Sequence, residues 1–130
     1  MKRRITVDQL QELTPEQRQK LRGLWQPTRY DIAVSTIDGS FFEANVDWLE
    51  NFRDSEAKEL FLPLLSIGKM IELLQDKAKY FCITNMFART DGIDTGWGVY
   101  KPSHYNYSGF DVHADELCNA LWYAVVKEVL

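Results

Sequence analysis

The sequence has 130 residues and a mass of 15.2 kDa, room for one domain rather than two. Apolar residues make up 45%, aromatics 13% and charged residues 26%, which excludes a disordered tail, a collagen-like repeat and a coiled coil. The net charge of −4 is unevenly placed: residues 1–30 carry seven basic and three acidic groups, residues 31–130 eight basic and sixteen acidic. An acidic body repels duplex DNA, whose binding relies on phosphate neutralisation. Only the first thirty residues suit an anionic partner.

In chain order, Thr6 with Gln9 and Thr14 with Gln17 each fit the S/T-x-x-E/Q capping box, so two short helices are expected. Pro15 falls at the first position of the second helix, Leu21, Leu24 and Trp25 form its apolar stripe, and Pro27 stops it. Asp31 to Thr36 and Phe41 to Val46 read as strands joined by an Asp38-Gly39 turn. Asp47 to Leu62 reads as partly helical, with Trp48, Leu49 and Phe52 on one face, and Leu62 to Leu65 as an apolar connector. Ser66 is a suitable N-cap for a helix to Lys77, whose Ile67, Met70, Ile71 and Leu74 share a stripe. Tyr80 to Ala88 and Trp97 to Lys101 read as strands around a bend at Asp91 to Gly96, with a further strand in Tyr105 to Val112. The last helix, Ala114 to Leu130, has a continuous stripe of Cys118, Leu121, Trp122, Val125 and Val129, with Asp115 and Glu116 placed in its first turn.

The fold expected is a single α+β domain over residues 1–130. A small, mainly antiparallel sheet packs against the two main helices, with the short N-terminal helices alongside. Cys82 and Cys118 form no paired motif, and no cysteine–histidine quartet of zinc spacing occurs, so two free thiols are expected. Met-Lys-Arg-Arg leads into a polar helix, so neither a signal peptide nor a membrane span is expected and the location is taken as cytoplasmic.

Three segments, LTPEQRQKLRGLWQP (Leu13 to Pro27), LPLLSIGKMIELL (Leu62 to Leu74) and ELCNALWYAVVKEVL (Glu116 to Leu130), cover 43 of the 130 residues. In this order they resemble a family of small uncharacterised proteins of Gram-positive bacteria and their prophages. The resemblance implies a phage or mobile-element setting and a cytoplasmic location. It brings no activity and no site residues, because each matching segment is already explained by capping or by a core stripe.

Hydrolytic chemistry needs a nucleophile beside an oriented base. The two histidines, His104 and His113, lie in loop-like sequence, Cys82 lies in a strand, and there is no G-x-S-x-G elbow. Asp91, Asp94, Asp111 and His113 lack the ladder of a calcium loop, so neither a metal nor another cofactor is expected. The aromatic cluster is the candidate binding site: Trp97, Tyr100, Tyr105, Tyr107 and Phe110 crowd into fourteen residues among glycine, serine and proline. Its simpler explanation is a half-buried sheet face.

The function expected is that of a non-enzymatic accessory protein acting by protein–protein binding or self-association, one version being inhibition of a host defence factor. One alternative is nucleic-acid binding through Lys2, Arg3, Arg4, Arg18, Arg22 and Arg29. The other is an enzyme with an unrecognised site.

Overall fold

The computed structural model describes residues 2–45, 49, 59–78, 82–86, 96–100 and 112–130, with the backbone alone at Ala78, Thr84, Asn85, Met86, Tyr100 and His113. Its class is α+β. The chain divides into two compact units, Ile5–Leu65 and Met1–Arg4 with Ser66–Leu130.

The unit Ile5–Leu65 opens with α1 (Val7–Gln11) and α2 (Pro15–Leu24). Both capping boxes form as the spacing predicts. Gln9 N–H donates to Thr6 Oγ1 at 3.3 Å and Gln17 N–H to Thr14 Oγ1 at 3.1 Å. Each glutamine carbonyl in turn accepts from its cap's backbone N–H at 3.0 Å. These bonds satisfy amides that a helix start otherwise leaves orphaned. Pro15 occupies the first position of α2, and Trp25 caps the other end in an extended conformation.

Three short strands follow: β1 (Ile32–Ser35), β2 (Phe41–Glu43) and β3 (Phe61–Pro63). They make an antiparallel sheet in the order β2-β1-β3. The predicted hairpin pairs Ile32 with Glu43, Ala33 with Phe42 and Val34 with Phe41. Gly39 takes φ +73°, a left-handed conformation that glycine adopts without a Cβ clash.

Leu62 to Leu65, expected as a connector, begins inside β3, with Pro63 opposite Ala33. A proline is tolerated there because β3 is an edge strand among the described residues. Leu64 N–H donates to Ile32 at 2.8 Å and Thr36 N–H to Leu60 at 2.8 Å, so even-numbered residues carry this ladder and Pro63 faces outward, where no donor is needed. Trp25 and Ala33 form a buried cluster on one sheet face, with Phe42 and Phe61 packed against it and meeting each other edge-to-face, their ring centroids 5.2 Å apart.

In the other unit, Ser66 caps α3 (Ile67–Ala78), its Oγ accepting from Lys69 N–H at 3.2 Å. Met70 and Leu74 of the expected stripe are fully buried, while Ile67 and Ile71 are half-buried. The strands β4 (Cys82–Met86), β5 (Gly96–Tyr100) and β6 (Val112–Ala114) form a second antiparallel sheet in that order. Gly96 has φ +138°, and a Cβ there would meet the Ala114 carbonyl oxygen at 2.5 Å. No other residue fits that approach of β5 to β6.

The last helix, α4, runs Leu117–Glu128, later than expected at its start. Ala114 belongs to β6 opposite Trp97, and Glu116 is the N-cap without a side-chain cap bond. The first turn therefore holds no acidic residue, contrary to expectation. Sheet pairing of Ala114 overrides its local helical preference.

Cys118, Ala120, Leu121, Trp122, Ala124 and Val125 are all buried, a wider face than the predicted stripe, because α4 packs on α3 and on β5 and β6. Burial of each large apolar side chain contributes roughly 1.5–3 kcal/mol. Leu121 is wholly inaccessible to solvent. Leu121→Ala is accordingly expected to lower unfolding stability by about 2–5 kcal/mol in chemical denaturation, through lost transfer energy and the cavity left behind. An unchanged midpoint would remove Leu121 from the core.

Candidate functional site

The aromatic cluster expected as a binding site falls largely outside the described residues: Tyr105, Tyr107 and Phe110 do, as do His104, Asp91, Asp94 and Asp111. Trp97 lies in β5 opposite Asn85 and Ala114 and is half-buried, and Tyr100 ends the same strand opposite Cys82. His113 lies in β6 opposite Gly98. Cys82 is half-buried and Cys118 buried, both as free thiols. Burial pushes the Cys118 thiol up from its ordinary pKa, which keeps it protonated and unreactive. Among the described residues no group of histidine, cysteine and carboxylate side chains is placed to hold a metal ion.

The six basic residues of the nucleic-acid alternative are divided between the units. Lys2, Arg3 and Arg4 belong to one, Arg18, Arg22 and Arg29 to the other. Several are engaged within the chain. Lys2 Nζ donates to Asn119 Oδ1 at 2.7 Å, Arg18 Nη2 to the Gln11 carbonyl at 2.9 Å, and Arg22 Nη1 to Gln19 Oε1 at 3.2 Å. The Arg29 guanidinium stacks over the Tyr30 ring at 4.9 Å.

In Ile5–Leu65 a feature emerges that sequence reasoning missed. Ile37 is 76% exposed, Phe41 67% and Leu60 41%. All three stand at the turn end of the sheet. Ile37 lies in the β1–β2 turn, Phe41 begins β2, and the Leu60 carbonyl accepts from both Thr36 N–H at 2.8 Å and Thr36 Oγ1 at 3.1 Å. The available signal was an isoleucine beside Asp38-Gly39, in a turn where polar residues normally serve.

Beside this end opens a cleft of about 470 Å3, its walls including Val7, Leu10, Val34 and Leu62, with Arg18 and Asp38 also lining it. The turn itself is rigidly braced. Asp38 Oδ1 accepts from Ser40 N–H at 3.0 Å and Ser40 Oγ at 2.7 Å. The Ser40 hydroxyl, then its amide, hold the Asp38 carboxyl below its ordinary pKa, so it stays ionised at neutral pH. A socket that mixes apolar and polar lining, with one cation and one anion among its residues, has the chemistry of side-chain recognition.

What fixes this sheet to the preceding helix is Asp31, a buried carboxylate. Its Oδ2 accepts from Trp25 Nε1 at 3.2 Å and from Thr28 N–H at 2.9 Å, while its own carbonyl accepts from Ala44 N–H at 2.7 Å. One residue thus holds the end of α2, the following loop and the hairpin in register. In comparisons with known proteins, no family model, curated sequence or solved structure matches this chain.

Asp31→Ala strands the indole and amide donors in a buried site, and a loss of about 1–3 kcal/mol is expected for that desolvation. Asp31→Asn, which retains a carbonyl oxygen there, is expected to lose less. Equal denaturation midpoints for Asp31→Ala and the unmodified chain would contradict this role.

Proposed function

We propose that this chain is a non-enzymatic accessory protein of a phage or prophage setting and that it acts by binding protein. The observation that carries the reading is the gathering of Ile37, Phe41 and Leu60, all exposed, at one end of the β2-β1-β3 sheet beside a cleft of mixed apolar and polar lining. Large side chains of this kind gain free energy by leaving water, and a contiguous group of them marks an interaction surface more often than a solvated one. The acidic balance of residues 31–130 suits a partner with basic surface, such as a host defence factor that grips nucleic acid. Trp97, Tyr100, Tyr105, Tyr107 and Phe110 form a second candidate surface, proposed on their chemistry alone.

Co-purification from the native host, repeated with Ile37→Ser/Leu60→Ser and separately with Trp97→Ala/Tyr105→Ala, tests both surfaces. Loss of the captured protein with the first pair, at unchanged thermal stability, is the expected result. Capture that survives the first pair rejects the turn end, and capture that survives both rejects both surfaces. Recovery of nucleic acid alone, released steeply by salt, would instead support the basic residues as the working surface.

A further inference from the structure

Hydrogen-bond register decides which backbone groups of β2 are already used. Ser35 N–H donates to the Ser40 carbonyl at 2.8 Å and Ala44 N–H to the Asp31 carbonyl at 2.7 Å. Residues 40, 42 and 44 therefore turn their backbone toward β1. Alternation then points the N–H and C=O of Phe41 and Glu43 away from β1, on the side where β2 has no neighbouring strand among the described residues. Both residues are exposed.

The opposite edge is managed differently. On β3 the outward position at 63 is a proline and offers no donor. Natural edge strands are blunted by proline, charge or bulges, and β2 has only its brevity and Glu43. It remains competent to pair.

We propose that the occupant of this edge is the same edge of a second copy, antiparallel, about a two-fold axis passing beside Phe42. The inference rests on the protein-binding reading above and names one partner. Centred on Phe42, the register sets Phe41 of each copy opposite Glu43 of the other, and these are the residues whose backbone groups face outward. Each pair exchanges both of its N–H···O bonds, as an isologous interface requires.

Charge selects the direction. Asp38 marks the turn end of the hairpin, whereas exposed Arg29 lies at the far end, next to Tyr30, whose N–H donates to the Ala44 carbonyl at 3.0 Å. Antiparallel pairing brings the Asp38 end of one copy to the Arg29 end of the other. Parallel pairing brings like to like. One term opposes the association: the two Glu43 carboxylates lie diagonally across the shared face, a repulsion that weakens it without blocking the backbone bonds.

Sedimentation velocity on the full chain over a wide concentration range tests the proposal, with a reversible monomer–dimer equilibrium expected. Glu43→Pro removes only an outward N–H and leaves the β1–β2 ladder bonds in place. It is expected to weaken association by roughly tenfold or more, the equivalent of about 1.4 kcal/mol. Glu43→Gln keeps every backbone bond, removes the diagonal repulsion and is expected to tighten the dimer, so the test survives if the proline variant fails to fold. A single chain at every concentration overturns the proposal. So does a folded Glu43→Pro that dimerises like the unmodified chain, or a Glu43→Gln that dissociates more readily. Ile37→Ser/Leu60→Ser lies off the edge and is expected to leave the dimer intact. Loss of heterologous capture with that pair and loss of self-association with Glu43→Pro therefore report separately on the two readings.

Discussion

The unit Ile5–Leu65 depends on the way β1 divides its backbone between two neighbours. Its odd-numbered residues bond toward β2 and its even-numbered residues toward β3, as the Ser35–Ser40 and Ile32–Leu64 bonds establish. From that division follow the place of Pro63, which sits where no donor is required, and the outward direction of the Phe41 and Glu43 amides, away from β1. It also sets the two faces, with Ala33 and Phe42 toward Trp25, and Val34 with Leu62 lining the cleft. A slip of one residue would exchange the faces and expose the cluster. Asp31 opposes that slip, because its side chain is committed to Trp25 and Thr28 while its carbonyl is committed to Ala44.

The other unit is organised around a helix instead of a strand. Its last helix buries most of its circumference, with only Tyr123 among its large hydrophobic side chains substantially exposed. Small residues at Ala120 and Ala124 let neighbours approach that helix closely, and Gly96 does the same for β5 against β6. Tight contacts of this kind favour a structural role for the surfaces they bury. The exposed Ile37, Phe41 and Leu60 stand instead at the turn end of the β2-β1-β3 sheet.

Elements specified by neighbours in sequence were legible. The capping boxes at Thr6 and Thr14, the Ser66 cap and the Asp38-Gly39 turn each arise from hydrogen bonds spanning a few residues, and each formed where the pattern placed it. Elements specified by distant partners were not. Phe61–Pro63 is too short to show alternation and contains a proline, so only its pairing with β1 makes it a strand. Ala114 reads as helix until Trp97 pairs with it. The exposed apolar end was illegible for the same reason. Nothing in the order Ile37, Phe41, Leu60 announces that folding gathers them, whereas the adjacency of Trp97 and Tyr100 drew notice although Trp97 is half-buried in its sheet.

The alternate amides of β2, those of Phe41 and Glu43, point away from β1 and meet no strand among the described residues. Amide hydrogen exchange, resolved by residue and followed from dilute to concentrated protein, addresses that most directly. Phe42 and Ala44 are expected to be protected throughout, whereas Phe41 and Glu43 exchange rapidly when dilute and gain protection as concentration rises. Protection of Phe41 and Glu43 already complete in the dilute chain would contradict an open edge. Rapid exchange at both residues at every concentration would contradict its pairing with a second copy.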